Sequence, residues 1–264
     1  MVHDLSDMCR CALTIAGSDP SGGAGIQVDL KTFAATGVYG MAVITALTAQ
    51  NAARVSGAQI LDSTCVSKQV SVVLEDMVPG AVKTGMLATS SIIETVVHAL
   101  PKGVPLVVDP VMISTSGHRL LDMAAVRSVR DILIPRATLV TPNIPEAEVL
   151  CAFEIVDEEG MQEAGMQILT MGAFAVVVKG GHGSGDESID LLISRQGVVS
   201  LRSVRMPYSV HGSGCCFSAA ITGYLALGFP MEEACQMGKI LVSRAIEQAV
   251  CGISGMRMVN PGGF

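Results

Sequence analysis

Short apolar runs that end in a polar residue recur along this chain and restrict its fold more than any other feature. Leu106-Val107-Val108 and Val176-Val177-Val178 are apolar at every position, not at alternate ones. A strand wet on one face alternates. A strand covered on both faces need not, and that is the condition of a parallel sheet between two helical layers. Strands are read at 12–16, 41–48, 81–84, 106–109, 138–141, 175–179 and 189–193. Helical patterns lie between them. Ile26, Leu30, Phe33 and Ala34 share one face, with Gly37 as a stop. Ser90 is placed to cap a helix carrying Ile93, Val96, Val97 and Leu100, and Asp157 opens another that ends before Gly172. This order predicts an α/β fold, a three-layer α/β/α sandwich with a mostly parallel central sheet, as one domain over residues 1–264.

The 264 residues are 50% hydrophobic, enough for a full core. Aromatics make up 3% and Trp is absent, so Ala, Val, Ile, Leu and 15 Met must fill it. A net charge of −7 argues against a nucleic-acid partner held through phosphates. No apolar stretch approaches the roughly 20 residues of a spanning helix, and residues 1–10 lack the apolar core of a signal peptide. Eight cysteines form no CxxC pair, and the adjacent Cys215 and Cys216 have poor geometry for a disulfide. Free thiols in a cytoplasmic protein are expected, with no membrane partner.

Polar residues gather where strands end: Asp109, Asn143 and Lys179. Open parallel sheets bind ligands beyond those ends. The segment His211-Gly-Ser-Gly-Cys215 precedes a small-residue helix read at 216–228. Its glycines free the backbone to direct several N–H groups at one point, and the helix adds unpaired donors and the positive end of its dipole. Such a place binds phosphate, although an ordinary Gly-rich turn reads the same way. Cys215 stands at its lip, where a lowered pKa is plausible. Common nucleotide signatures fail. Gly17 to Gly22 has Walker-A glycine spacing, but Gly23 and Ala24 follow where Lys and Ser or Thr are needed. Phe217 and Val28 stand where a dinucleotide fingerprint needs its last glycine.

A set of blocks fits another pattern. Ala16 to Phe33 (AGSDPSGGAGIQVDLKTF), Gly37 to Asn51 (GVYGMAVITALTAQN) and Val82 to Ala88 (VKTGMLA) closely resemble the hydroxymethylpyrimidine/phosphomethylpyrimidine kinases of the ribokinase-like superfamily. The resemblance continues through Asp109 to Met112 (DPVM), Thr141 to Glu148 (TPNIPEAE), Val178 to His182 (VKGGH) and His211 to Cys215 (HGSGC), in family order. It implies an ATP- and Mg²⁺-dependent kinase of thiamine biosynthesis. Such an enzyme phosphorylates 4-amino-5-hydroxymethyl-2-methylpyrimidine and then its monophosphate. By resemblance, Cys215 takes the catalytic position and Gly212, Ser213 and Gly214 form the anion hole. Gln50, Asp29, Gly17 and Met86 match pyrimidine-pocket positions. Asn143 and Glu146 match an Asn-x-x-Glu motif that organises Mg²⁺ and phosphates, with Asp109 nearby, and Lys179 matches the nucleotide side. The expected partners are a small pyrimidine and a second copy of the chain in a homodimer.

The residue types suit these roles. An amide such as Gln50 offers both a donor and an acceptor to an aminopyrimidine edge, and a carboxylate such as Asp29 accepts from an exocyclic amine. Each also has a plainer reading. Asp29 could favour the first turn of its helix through the dipole, Gln50 could be a loop amide, and Glu146 a helix-terminal charge after Pro145. Lys179 could pair with a surface acid and Met86 pack the core. His182 and His211 are read as loop hydrogen-bonders without catalytic role, and Lys83 is left open. The sequence departs from the family at Ser213 (usually Thr), Cys216 and Phe217 (usually Thr-Leu), Thr84, and Thr115, where many relatives carry Lys. A pyridoxine or pyridoxal kinase of the same fold, and a non-catalytic pyrimidine sensor, are the rival readings.

Overall fold

The computed structural model describes residues 10–112, 121–181 and 185–263. Thr115 and His182 therefore lie outside the described residues. The chain runs β1 (Cys11–Ser18), α1 (Gly25–Ala35), β2 (Tyr39–Asn51), β3 (Arg54–Ile60), α2 (Ser63–Asp76), β4 (Ala81–Thr84), α3 (Ser90–Ala99) and β5 (Leu106–Val108). It continues through α4 (Met123–Ser128), β6 (Leu139–Val140), α5 (Ile144–Cys151), α6 (Glu158–Thr170), β7 (Ala175–Lys179), β8 (Glu187–Ser194) and β9 (Gly197–Val204). It ends with β10 (Val210–His211), α7 (Ser213–Ala226), α8 (Met231–Glu247), β11 (Val250–Cys251) and β12 (Arg257–Met258).

Nine strands form one sheet in the order β3-β2-β1-β4-β5-β6-β7-β8-β9. The six from β2 to β7 in that order are parallel, while β3, β8 and β9 add antiparallel edges. The continuous apolar runs have the cause inferred for them. Val108, Val140, Val176 and Val178 pack on one face with Ile93, Leu133, Ala147 and Ile168. Val107, Leu139, Ala175 and Val177 pack on the other with Val28, Phe217, Ile221 and Val242. Alternate side chains of one strand thus enter two cores, and both must be apolar.

Several boundaries differ from the sequence reading. The helix read at 216–228 begins three residues earlier, at Ser213, because Gly214 sits in the first turn instead of ending a loop. Thr89, not Ser90, caps α3 by accepting from the Ile92 N–H at 3.3 Å. β3 was not anticipated, since Arg54–Ile60 is exposed or half-buried throughout and carries no buried stripe. β9 and the small sheet β10-β12-β11 were also missed. Gly37, at φ +80°, does end α1.

One buried ion pair prepares the site. Lys239 of α8 meets Asp190 of β8 at 2.7 Å, and the other Asp190 oxygen accepts from the Gly180 N–H at 2.9 Å. The turn after Lys179 is thereby tied to both sheet and helix.

Candidate active site

The side-chain caps show where the chain leaves backbone donors open. Helices α2 to α6 begin with Asp62, Thr89, Asp122, Asn143 and Asp157, each accepting from a first-turn N–H. Helix α8, which follows Pro230, has no side-chain cap, and neither do α1 and α7. Their first turns face each other: the Gly25 N–H is directed at the Cys215 sulfur, and Gly212 lies against the Gly23 carbonyl. Gly212 has φ +85°, and a Cβ there would collide with that carbonyl. Only glycine permits this approach. The first N–H groups of α7 have no carbonyl one turn back to receive them.

Around this point stand groups from the strand ends. Lys179 Nζ is 2.9 Å from Asp109 Oδ1, and a Cβ on Gly214 would lie 3.2 Å from the same ammonium. Ser218 of α7 donates to Asp109 Oδ2 at 3.0 Å, so Asp109 joins the β5 end to both β7 and α7. Burial opposes the Lys179 charge, but Asp109 and Glu146 more than offset it and its pKa is raised. Lys179 therefore pairs with a buried carboxylate, not a surface one.

Asn143 and Glu146 form a capping box at the start of α5. Asn143 Oδ1 accepts from the Glu146 N–H at 2.8 Å, and Glu146 Oε2 accepts from the Asn143 N–H at 2.9 Å. The plainer reading of Glu146 as a helix-terminal charge is thus realised. The carboxyl is also buried, and burial pushes its pKa up to about 7, with the Asp109 charge adding to the rise and Lys179 opposing it. Asn143→Ala is expected to lower stability by about 0.5–2 kcal/mol, the usual cost of a lost cap, read as a fall in thermal midpoint.

The two thiols face different surroundings. Cys215 is half-buried in the first turn of α7, while Cys216 is fully buried and receives the Thr32 hydroxyl at 3.5 Å. The lowered Cys215 pKa expected from the sequence is corrected: burial pushes this thiol up to about 12, against the pull of Lys83 and the Gly25 N–H. At neutral pH it is a thiol.

Asp29 is tied to the site's floor by a buried pair. It is fully buried, takes the Lys83 ammonium at 2.9 Å and the Thr14 hydroxyl at 2.6 Å on Oδ2, and leaves Oδ1 without a partner. It sits in the second turn of α1, beyond the first turn where the dipole acts, and its charge is felt at Cys215. Gly17 and Met86 do adjoin: a Cβ on Gly17 would lie 3.1 Å from the Met86 sulfur. Gln50 ends β2 beyond a register shift between Ala49 and Gln50. Such bulges re-aim a side chain. Its amide meets His211, which in turn meets Asp19.

Sequence reasoning assigned no role to Asp19 or Ser218, left Lys83 open and read His211 only as a loop hydrogen-bonder. All four lie inside the quoted blocks or the helix after them, and the signal available was a polar residue within an otherwise apolar or glycine-rich run. A separate groove of about 390 Å³ lies between β9 and α8, with Leu201, Lys239, Ile240 and Arg244 on its walls.

Open helix ends, a lysine and carboxylates at the carboxyl ends of a parallel sheet suit the class of phosphotransferases. Comparison with known proteins narrows this. The profile of the phosphomethylpyrimidine kinase family matches residues 19–260. A hydroxymethylpyrimidine/phosphomethylpyrimidine kinase of Rhizobium meliloti strain 1021 is 44% identical over 92% of this chain and 92% of its own. The crystal structure of a phosphomethylpyrimidine kinase from Clostridium difficile 630 superposes with a TM-score of 0.78 at 46% identity, covering 89% of this chain and 98% of that one. Staphylococcus aureus pyridoxal kinase, solved with AMP-PCP and pyridoxal, gives a TM-score of 0.89 at 35% identity, covering 97% and 94%. The chain belongs to the phosphomethylpyrimidine kinase family.

Proposed function

We propose that residues 1–264 act as one kinase domain that uses ATP and Mg²⁺ to phosphorylate 4-amino-5-hydroxymethyl-2-methylpyrimidine, and then its monophosphate, in thiamine biosynthesis. The observation that carries this is the uncapped α7 terminus, Gly212 to Cys215, facing Lys179, Asp109 and Glu146. Phosphoryl transfer needs positioning and neutralised oxygen charge more than covalent chemistry. The first-turn N–H groups of α7 answer charge on the equatorial oxygens as it develops. Lys179 holds phosphate from the opposite side. Cys215, a neutral thiol, orients the alcohol by hydrogen bonding, and the alcohol proton passes to a phosphoryl oxygen as the new oxygen–phosphorus bond forms and the bond to the ADP leaving oxygen breaks. Gln50, Gly17 and Met86 hold the ring.

The carboxylates fit a divalent cation. Among the described residues no cluster of three or more His, Cys, Asp or Glu forms a full metal cage. Mg²⁺ asks for less, since it keeps several waters and takes one or two protein oxygens beside phosphate. Glu146, held partly protonated by burial and by Asp109, is the carboxyl that a cation would relieve. Bound there with Asn143 or Asp109, the ion would shield phosphate charge. Cation and proton compete for Glu146, so Mg²⁺ activation should tighten as pH rises through about 7. Glu146→Gln should raise the half-activating Mg²⁺ concentration by about tenfold and flatten that pH dependence. An unchanged Mg²⁺ curve would remove Glu146 from the metal site.

Cytoplasmic location and a homodimer belong to the same proposal. No described helix is long and apolar enough to cross a membrane, and the seven described cysteines are free. The test is ADP release and product mass with the pyrimidine alcohol and its monophosphate, beside pyridoxine under the same conditions. Turnover of both pyrimidines is expected. A folded preparation inert on both would overturn the assignment, and a higher kcat/KM on pyridoxine would transfer it to the rival kinase.

A further inference from the structure

Nε2 of His211 has two neighbours at hydrogen-bonding distance, Asp19 Oδ2 at 3.0 Å and the amide nitrogen of Gln50 at 3.2 Å. They make opposite demands. An ionised carboxylate only accepts, so the ring nitrogen must carry a hydrogen toward Asp19. An amide NH₂ only donates, so the same nitrogen would have to offer Gln50 a lone pair. One nitrogen cannot do both. Asp19 decides the conflict because it is fixed on every side. Ser21 gives Oδ1 its N–H at 2.9 Å and its hydroxyl at 2.7 Å, and the Asp19 N–H is received by Gln27 Oε1 at 2.8 Å. Asp19 and His211 are both buried, whereas Gln50 is half-buried at a strand end, where its terminal amide turns about one bond.

We infer that Asp19 and His211 are positioning residues that set the polarity of Gln50. His211 keeps its hydrogen on Nε2, Gln50 meets it with the carbonyl oxygen, and the Gln50 NH₂ is left to donate to the substrate ring. This rests on the reading of Gln50 as a ring contact. The consequence is selectivity for a ring that presents an unprotonated nitrogen at that edge. A ring presenting N–H there meets a donor facing a donor, a stronger ground for rejection than shape. His211 is held in place by Gly23, where a Cβ would lie 2.9 Å from its ring.

Asp19→Asn reverses the chain. Ser21 still holds the oxygen, so the new NH₂ lies beside His211 and requires a lone pair on Nε2. Imidazole ¹⁵N shifts of the full-length protein read this without substrate: Nε2 should be protonated in the wild type and unprotonated in Asp19→Asn. In turnover with ATP, Asp19→Asn and His211→Phe should raise the pyrimidine KM about five- to tenfold, the loss of one neutral hydrogen bond. Their kcat and ATP KM should stay within about twofold of wild type. His211→Gln, which restores an N–H near the same point, should recover most of the loss. An unprotonated wild-type Nε2 would overturn the inference, as would kcat and both KM values deteriorating together with the thermal midpoint. Absence of any wild-type pyrimidine turnover would instead defeat the proposed function, and the ¹⁵N result would still decide the role of Asp19 and His211.

Discussion

Cys215→Ala should lower kcat by about 10²-fold, the usual order of loss when a reacting atom is misplaced by about 1 Å, while substrate still binds. The magnitude follows from position: the residue lies in the same open turn as the N–H groups that would receive phosphate. It does not follow from acidity, because burial holds the thiol up at about 12. An activated thiolate would give a rate that tracks its own ionisation. A neutral thiol that only orients the alcohol would not, and the kcat profile should show no limb assignable to Cys215 between pH 6 and 9 (roughly the range of most folded enzymes). Cys216→Ala is the companion variant. Its sulfur is enclosed beside Thr32 and Phe217, so it should cost about 1 kcal/mol of stability and little activity. Stopped-time ADP release with circular dichroism on both variants makes the comparison. Near-normal turnover in Cys215→Ala, or a collapse confined to Cys216→Ala, would overturn the assignment.

Lys83→Met should destabilise the fold by about 3–5 kcal/mol, the cost of leaving one partner of a buried pair uncompensated. Both side chains are wholly enclosed and meet at 2.9 Å, with Asp29 Oδ1 already lacking a partner. Removing the ammonium leaves a carboxyl that burial already drives toward its neutral form, its pKa being raised in spite of Lys83 and Thr14. Urea unfolding of Lys83→Met, Asp29→Leu and the double variant measures the pair. The double variant should regain most of the lost stability, because two apolar groups of similar size do not need each other's charge. A double variant as unstable as the sum of the singles would mean that packing, not pairing, sets the cost.

The sheet was legible because its strands are buried on both faces and therefore apolar at every position, as in Val176–Val178. The edges were not, because β3 buries nothing that a pattern could reveal. The start of α7 was misplaced by three residues for a similar reason: glycine in a first turn looks like loop until the helix after it is seen. At the site, Asp109, Asn143 and Lys179 were readable as polar residues at strand ends, Gly212 as a glycine ahead of a helix, and Glu146 only through the family resemblance. What could not be read was depth. Asp29 and Gln50 occupy similar places in their blocks, yet one is sealed under Lys83 while the other ends a strand beyond a bulge. Pairing across 54 or 192 residues, as for Lys83–Asp29 and His211–Asp19, leaves no local trace.

Two of the three uncapped helices among the described residues, α1 and α7, limit how this protein could be made hardier. Replacing a poor N-cap with Asp or Ser is a dependable way to strengthen a domain, at about 1 kcal/mol per helix. Here the ends available for it include Ala24 and Gly212. Gly212 is closed to substitution by the Gly23 carbonyl. Ala24 is extended and would accept an aspartate, but that carboxylate would occupy donors facing Cys215 and set a negative charge beside the proposed phosphate site. Heat-adapted relatives would therefore be expected to gain their robustness at the other helices and to keep these two ends bare.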